Sequence, residues 1–89
     1  MSGVSSALAA LTREMAFDFG SQGIRVNAIA PGEIDTAILS PGTEKIVGQI
    51  PLHRLGTPDE VARIIYVLCT DTSSYVNGAE IHINGGQHV

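Results

Sequence analysis

The 89-residue chain carries five Lys and Arg against nine Asp and Glu, a net charge of −4 with no basic cluster, so nucleic-acid binding has no electrostatic support. A hydrophobic share of 44% argues against disorder, but a single domain of this length buries only about 60–65% of its unfolded surface and is marginal alone. The lone Cys69 excludes an internal disulfide, no apolar run approaches the roughly 18 residues of a membrane helix, and the start at Met1 lacks the charged region of a signal peptide, so the chain reads as soluble and cytoplasmic.

The first element is a helix over about residues 6–19. Ser5 or Ser6 is placed to cap it. Val4, Leu8, Leu11, Met15 and Phe19 recur at helical spacing and form one apolar stripe. Ala7, Ala9, Ala10 and Ala16 favour the helix and permit close approach on other faces. Gly20 is the expected stop. A strand follows at Ile24–Ala30, apolar, rich in β-branched residues and closed by Pro31-Gly32. In open α/β sheets ligands bind just beyond the carboxyl ends of such strands. Glycine after the proline lets the backbone approach a ligand closely.

Residues 33–50 show no clean period and hold a second Pro-Gly pair, Pro41-Gly42, before a possible short helix over 43–50. A connection of this length without firm structure reads as a lid or binding loop. Pro51-Leu52-His53-Arg54-Leu55-Gly56 is a turn. Thr57-Pro58-Asp59-Glu60 then opens a helix, with Thr57 as cap, Pro58 at the first helical position and Glu60 completing a capping box. Val61, Ile64, Ile65 and Leu68 form a stripe expected to be buried. Residues 70–74 break the helix, Asn77-Gly78 turns, and Ala79–Ile83 makes a second strand closed by Asn84-Gly85-Gly86. Strand, long connection and strand imply parallel pairing through a right-handed crossover.

These residues resemble a known family. Leu11-Thr12-Arg13, Gly23-Ile24-Arg25-Val26-Asn27, Pro31-Gly32 with Thr36, the run Pro51–Ala62, Asn77-Gly78 and Asn84-Gly85-Gly86 follow one another as in the C-terminal third of short-chain dehydrogenases/reductases. Their 3-oxoacyl-carrier-protein-reductase-like branch is the nearest match. The resemblance covers about residues 7–86 and implies an α/β fold: the C-terminal part of a Rossmann-type doubly wound parallel sheet, one partial domain over 1–89 that is incomplete as a single chain. It implies hydride transfer between NAD or NADP and a carbonyl or alcohol. Pro31, Gly32 and Ile34 would lie beside the nicotinamide, with backbone groups recognising its carboxamide. Thr36 would hydrogen-bond the carboxamide or the pyrophosphate, and residues 33–50 would be the mobile lid. Asn84 replaces the family's usual Asp.

The departure lies at the start. Aligned without gaps, the Tyr and Lys of the family's Tyr-x-x-x-Lys pair fall on Met1 and Ser5. That pair works because a cation lowers the phenol's pKa for proton transfer, and neither a thioether nor a serine hydroxyl can do this. The family's catalytic Ser and its Gly-rich pyrophosphate turn have no counterpart in the sequence. No catalytic residue is therefore assigned.

Beside these, Arg54 is expected to pin its loop to a carboxylate or carbonyl. His53, His82 and His88 share no metal-ligand spacing, so no metal is expected. Tyr75 reads as a packed aromatic and Cys69 as a small apolar filler. Three functional readings compete: a remnant oxidoreductase inactive alone, a self-associating interaction module without catalysis, and half of an enzyme completed by another chain. Two parallel strands are too few for an independent sheet, so a homo-oligomer, dimer or tetramer, is expected, built through the first helix, the last strand or both. No nucleic-acid or membrane partner is expected, and a small-molecule substrate only if another chain completes the site.

Overall fold

A computed structural model describes residues 3–36 and 42–87. Met1, His88 and part of the 33–50 connection lie outside them. The elements are α1 (Gly3–Phe19), β1 (Ala28–Pro31), α2 (Thr43–Gly48), α3 (Pro58–Leu68) and β2 (Glu80–Ile83), with 3-10 turns at Gly20–Gln22 and Asp71–Ser73. β1 and β2 pair in parallel, Ala28 opposite Glu80 and Pro31 opposite Ile83.

α1 begins at Gly3, so Ser5 and Ser6 lie inside the helix rather than capping it. Its last turn tightens to 3-10, and the left-handed stop falls on Gly23 (φ 76°), whose N–H donates to Gly20 O at 3.0 Å, not on Gly20 itself. The helix also turns a different face inward from the one its apolar stripe predicts. Thr12 and Ala16 are buried, whereas Leu8, Leu11 and Phe19 are 43%, 54% and 37% exposed. Small residues win the inner position because the backbone approaches so closely: a Cβ on Gly78 would stand 3.3 Å from Ala16 Cβ. Thr12 satisfies its hydroxyl within the helix by donating to Leu8 O at 2.7 Å.

The strand expected over Ile24–Ala30 pairs its backbone regularly only from Ala28. Two asparagines take over the preceding stretch. Asn27 Oδ1 accepts from Ala79 N at 2.9 Å while its Nδ2 donates to Val76 O at 3.0 Å. Asn77 Oδ1 accepts from Val26 N at 3.0 Å while its Nδ2 donates to Ala16 O at 3.1 Å, tying α1 to the strand pair. Arg25 completes the clamp, donating to the carbonyls of Thr70, Ser73 and Val76 at 3.0–3.2 Å and so fastening the loop after α3.

The capping box of α3 is complete: Thr57 Oγ1 accepts from Glu60 N, and Glu60 Oε1 accepts from Thr57 N. Its stripe is not buried as expected. Val61 and Leu68 are half-buried, and Ile64 and Ile65 are exposed. Cys69 is likewise exposed rather than a filler, and Tyr75 is fully exposed rather than packed. Among the described residues, the buried apolar side chains are Ala16 and Ile50. The radius of gyration is 15.0 Å, against about 12 Å for a compact chain of this length. The exposed surface is 6484 Å², some 1,500 Å² above the roughly 5,000 Å² of a compact monomer of this mass. No described helix is long and apolar enough to cross a membrane.

Candidate functional site

The carboxyl ends of β1 and β2 meet in two glycine turns. Gly32 N donates to Ile83 O at 2.9 Å, and a Cβ on Gly32 would stand 2.7 Å from Asn84 Cβ and 3.0 Å from Asn84 Cα. Only glycine fits that crossing. On the β2 side, Gly85 and Gly86 have φ of 63° and 89°. Asn84 Oδ1 holds this turn by accepting from Gly86 N at 3.0 Å. Ile50, 2% exposed, is seated on Gly85, and Pro51 on Gly86. Leu52 N adds a bond to Gly85 O at 3.1 Å. The chain returning from the 33–50 connection is thus fastened to the end of the sheet.

The outgoing end is fastened too. Ile34 makes a parallel bridge with Gly56, in which Gly56 N donates to Glu33 O at 3.0 Å and Asp35 N donates to Gly56 O at 2.7 Å. In parallel pairing the residue between two bonded neighbours turns its own N–H and C=O the other way. Ile34 therefore presents one donor and one acceptor, side by side, away from Gly56. Of the residues singled out from the sequence, Pro31, Gly32, Ile34 and Thr36 stand together on this turn; Pro31 and Thr36 are exposed, Gly32 and Ile34 half-buried. Met1 lies outside the described residues, and Ser5 is on α1.

Beside the turn, Arg54 grips Glu60 with two bonds of 2.8 and 2.7 Å and also donates to Leu55 O. This bidentate pair is the role expected of Arg54. The hydrogen bonds from Arg54, and after them the one from Thr57 N–H, hold the Glu60 carboxyl down to about 2 from its ordinary 4.5. The same pair raises Arg54 above its usual value. The pair borders an open cleft of about 500 Å³ whose walls include Glu33, Leu52, His82 and Gly86. Pro31, Gly32, Ile34 and Thr36 do not line it. No group of three or more metal-ligating side chains gathers among the described residues.

Sequence reasoning passed over Gln87. Its Oε1 is buried, makes no hydrogen bond with the described residues and lies 3.4 Å from where a Gly32 Cβ would stand. Nothing in its sequence context marks it beyond its place after Gly-Gly.

Two parallel strands whose carboxyl ends carry glycine turns match the ligand-binding edge of open α/β sheets. The family model described as enoyl-(acyl carrier protein) reductase matches residues 1–88. Protein FixR of Bradyrhizobium diazoefficiens is 64% identical over 85 residues, which are 94% of this chain and 31% of that protein. The 3-oxoacyl-[acyl-carrier-protein] reductase FabG of Pseudomonas aeruginosa is 41% identical over 88 residues, 94% of this chain and 36% of that one. The crystal structure of a blue fluorescent protein from a metagenomic library, in complex with NADPH, superposes with a TM-score of 0.88 at 31% identity, over 94% of this chain and 35% of that one. The chain belongs to the short-chain dehydrogenase/reductase family, the oxidoreductases of that Rossmann fold. It spans about a third of the length of the relatives it matches.

Proposed function

We propose that this chain supplies the nicotinamide end of an NAD(P)-dependent oxidoreductase site and carries no dehydrogenase activity by itself. The observation that supports this best is Ile34, whose N–H and C=O face away from the Gly56 bridge as a matched pair for a carboxamide. A nicotinamide cofactor would supply the hydride. This chain's residues would fix the ring's carboxamide at Ile34, with Thr36 beside it and Pro31-Gly32 allowing close approach. Proton transfer has no group here, because Met1 and Ser5 stand at the positions of the family's Tyr and Lys.

The surplus surface favours a further element of the proposal: the chain works in an assembly. An excess of about 1,500 Å² is nearly twice the roughly 800 Å² that each partner buries in a standard interface. The outward stripe of α1 (Leu8, Leu11, Phe19) and the uncovered side of α3 are the surfaces concerned. A second copy would make a homo-oligomer, and a chain bearing the family's Tyr-x-x-x-Lys pair would complete an active site; the substrate would then be a small carbonyl or alcohol. The unpaired Cys69 suits the reducing cytoplasm, where the proposal places the protein.

Light scattering at low micromolar concentration, run alongside ketone-reduction assays with NADH and NADPH, tests both parts. A dimer or larger species without turnover is expected. A stable folded species near 9.3 kDa would overturn the assembly, and turnover by the pure chain would overturn the assignment of proton transfer elsewhere.

A further inference from the structure

A two-stranded sheet has two outer edges, and the two here are unlike. In parallel pairing, successive residues turn their N–H and C=O to opposite sides. Gly78 N donates to Val26 O at 2.8 Å, and Ala28 N and Gly32 N donate to Ala79 O and Ile83 O at 2.9 Å. Val26, Ala28, Ala30 and Gly32 therefore bond toward β2, while Arg25, Asn27, Ile29 and Pro31 turn their backbone groups the other way. No other described strand lies along that side. On β2 the outward residues are Glu80 and His82. Proteins guard sheet edges that are to stay unpaired with charged side chains, and the β2 edge carries such a guard: Glu80 and His82 meet at 3.1 Å. The β1 edge has none. Its one charged side chain, Arg25, is turned onto the carbonyls of Thr70, Ser73 and Val76.

We infer that a second copy of this chain pairs at the outer edge of β1, β1 against β1 about a two-fold axis, joining the two sheets into one; this rests on the assembly proposed above and not on the nicotinamide site. A two-fold axis makes the pairing antiparallel, and the residues themselves choose its register. Centred on Ile29, the pairing would set Pro31 opposite Asn27, and proline has no N–H to give. Centred on Asn27, it sets Arg25 opposite Ile29 of the second copy, and all three positions can exchange both of their backbone bonds. Between them Val26 stands opposite Ala28, a pair without charge or bulk to oppose contact. The joined sheet has the strands that a two-stranded one lacks for independent stability. The surplus surface of about 1,500 Å² exceeds the roughly 800 Å² that each partner of a standard interface buries.

Two proline variants separate this edge from the other surfaces. Ile29→Pro removes an N–H on the outer edge of β1, and His82→Pro removes one on the outer edge of β2. Proline is tolerated where an edge-strand N–H points away from the sheet, and circular dichroism checks that each variant keeps its fold. Sedimentation equilibrium across a concentration series then reads the association. The wild type should be a dimer, twice 9.3 kDa. Ile29→Pro should weaken it about thirtyfold, the value of two net hydrogen bonds, one from each copy, and His82→Pro should leave it unchanged. In the wild type, hydrogen exchange at the Asn27 and Ile29 amides should be slow in the dimer and quicken on dilution, a readout that stands even where Ile29→Pro fails to fold. A dimer that Ile29→Pro leaves as tight as the wild type, or whose Asn27 and Ile29 amides exchange at the same rate at every concentration, overturns the pairing while the assembly stands. A wild type that is monomeric throughout overturns the self-assembly and the pairing together, and leaves the edge to a polypeptide of different sequence.

Discussion

Gly32→Ala tests how tightly the two strand ends are joined. The added Cβ would stand 2.7 Å from Asn84 Cβ and 3.0 Å from Asn84 Cα. Neither atom is the free end of a side chain, so backbone must move. Overpacking of this kind costs about 1–3 kcal/mol. The shift would also stretch the Gly32 N to Ile83 O bond of 2.9 Å, whose loss adds roughly 1 kcal/mol. The sum, about 2–4 kcal/mol, lowers Tm by roughly 8–32 °C for a domain of this size, at 4–8 °C per kcal/mol. Gly48→Ala is the control, since its Cβ meets nothing within 4 Å and its φ is not positive; placed in the α2 helix, that change should be neutral or stabilise by up to about 1 kcal/mol. Circular dichroism melts at one fixed protein concentration compare the two variants with the wild type. Adding Asn84→Gly to Gly32→Ala should recover part of the loss, because the nearer clash disappears. A Gly32→Ala variant melting with the wild type would refute the reasoning: the strand ends would then be free to part, and the paired glycine turns would not define a rigid site.

Two further outcomes concern the start of α3. Thr57→Ala removes the oxygen that accepts from Glu60 N and should cost about 1 kcal/mol in a thermal melt. The Glu60 carboxyl, held down to about 2, contributes stability that is fully present above its ordinary 4.5 and is lost as pH falls toward 2. The wild type should therefore lose its advantage over Glu60→Gln between about pH 4.5 and 2, and the difference between their melting temperatures across that window measures it.

Local chemistry was legible in the chain itself. Thr57, Pro58 and Glu60 specify a helix start through contacts no more than three residues apart, and the capping box forms as read. Pro31-Gly32 and Asn84-Gly85-Gly86 mark where the strands must stop, and the parallel pairing follows from the long connection between them. The family could be read from the order and spacing of the same markers. Tertiary structure alone decided the rest. Helical periodicity shows that a stripe exists but not which side meets a neighbour, so α1 turns Thr12 and Ala16 inward and leaves Leu8 and Leu11 outside. Asn27 and Asn77 stand about 50 positions apart in sequence from the backbone each one bonds, which no local pattern can reveal. The inward turn of Gln87 toward Gly32 is likewise a contact between the two strand ends. Propensity and capping act within one helical turn, whereas burial and long-range hydrogen bonds depend on which surfaces the folded chain brings together, and here much of the apolar surface is left uncovered by the chain itself.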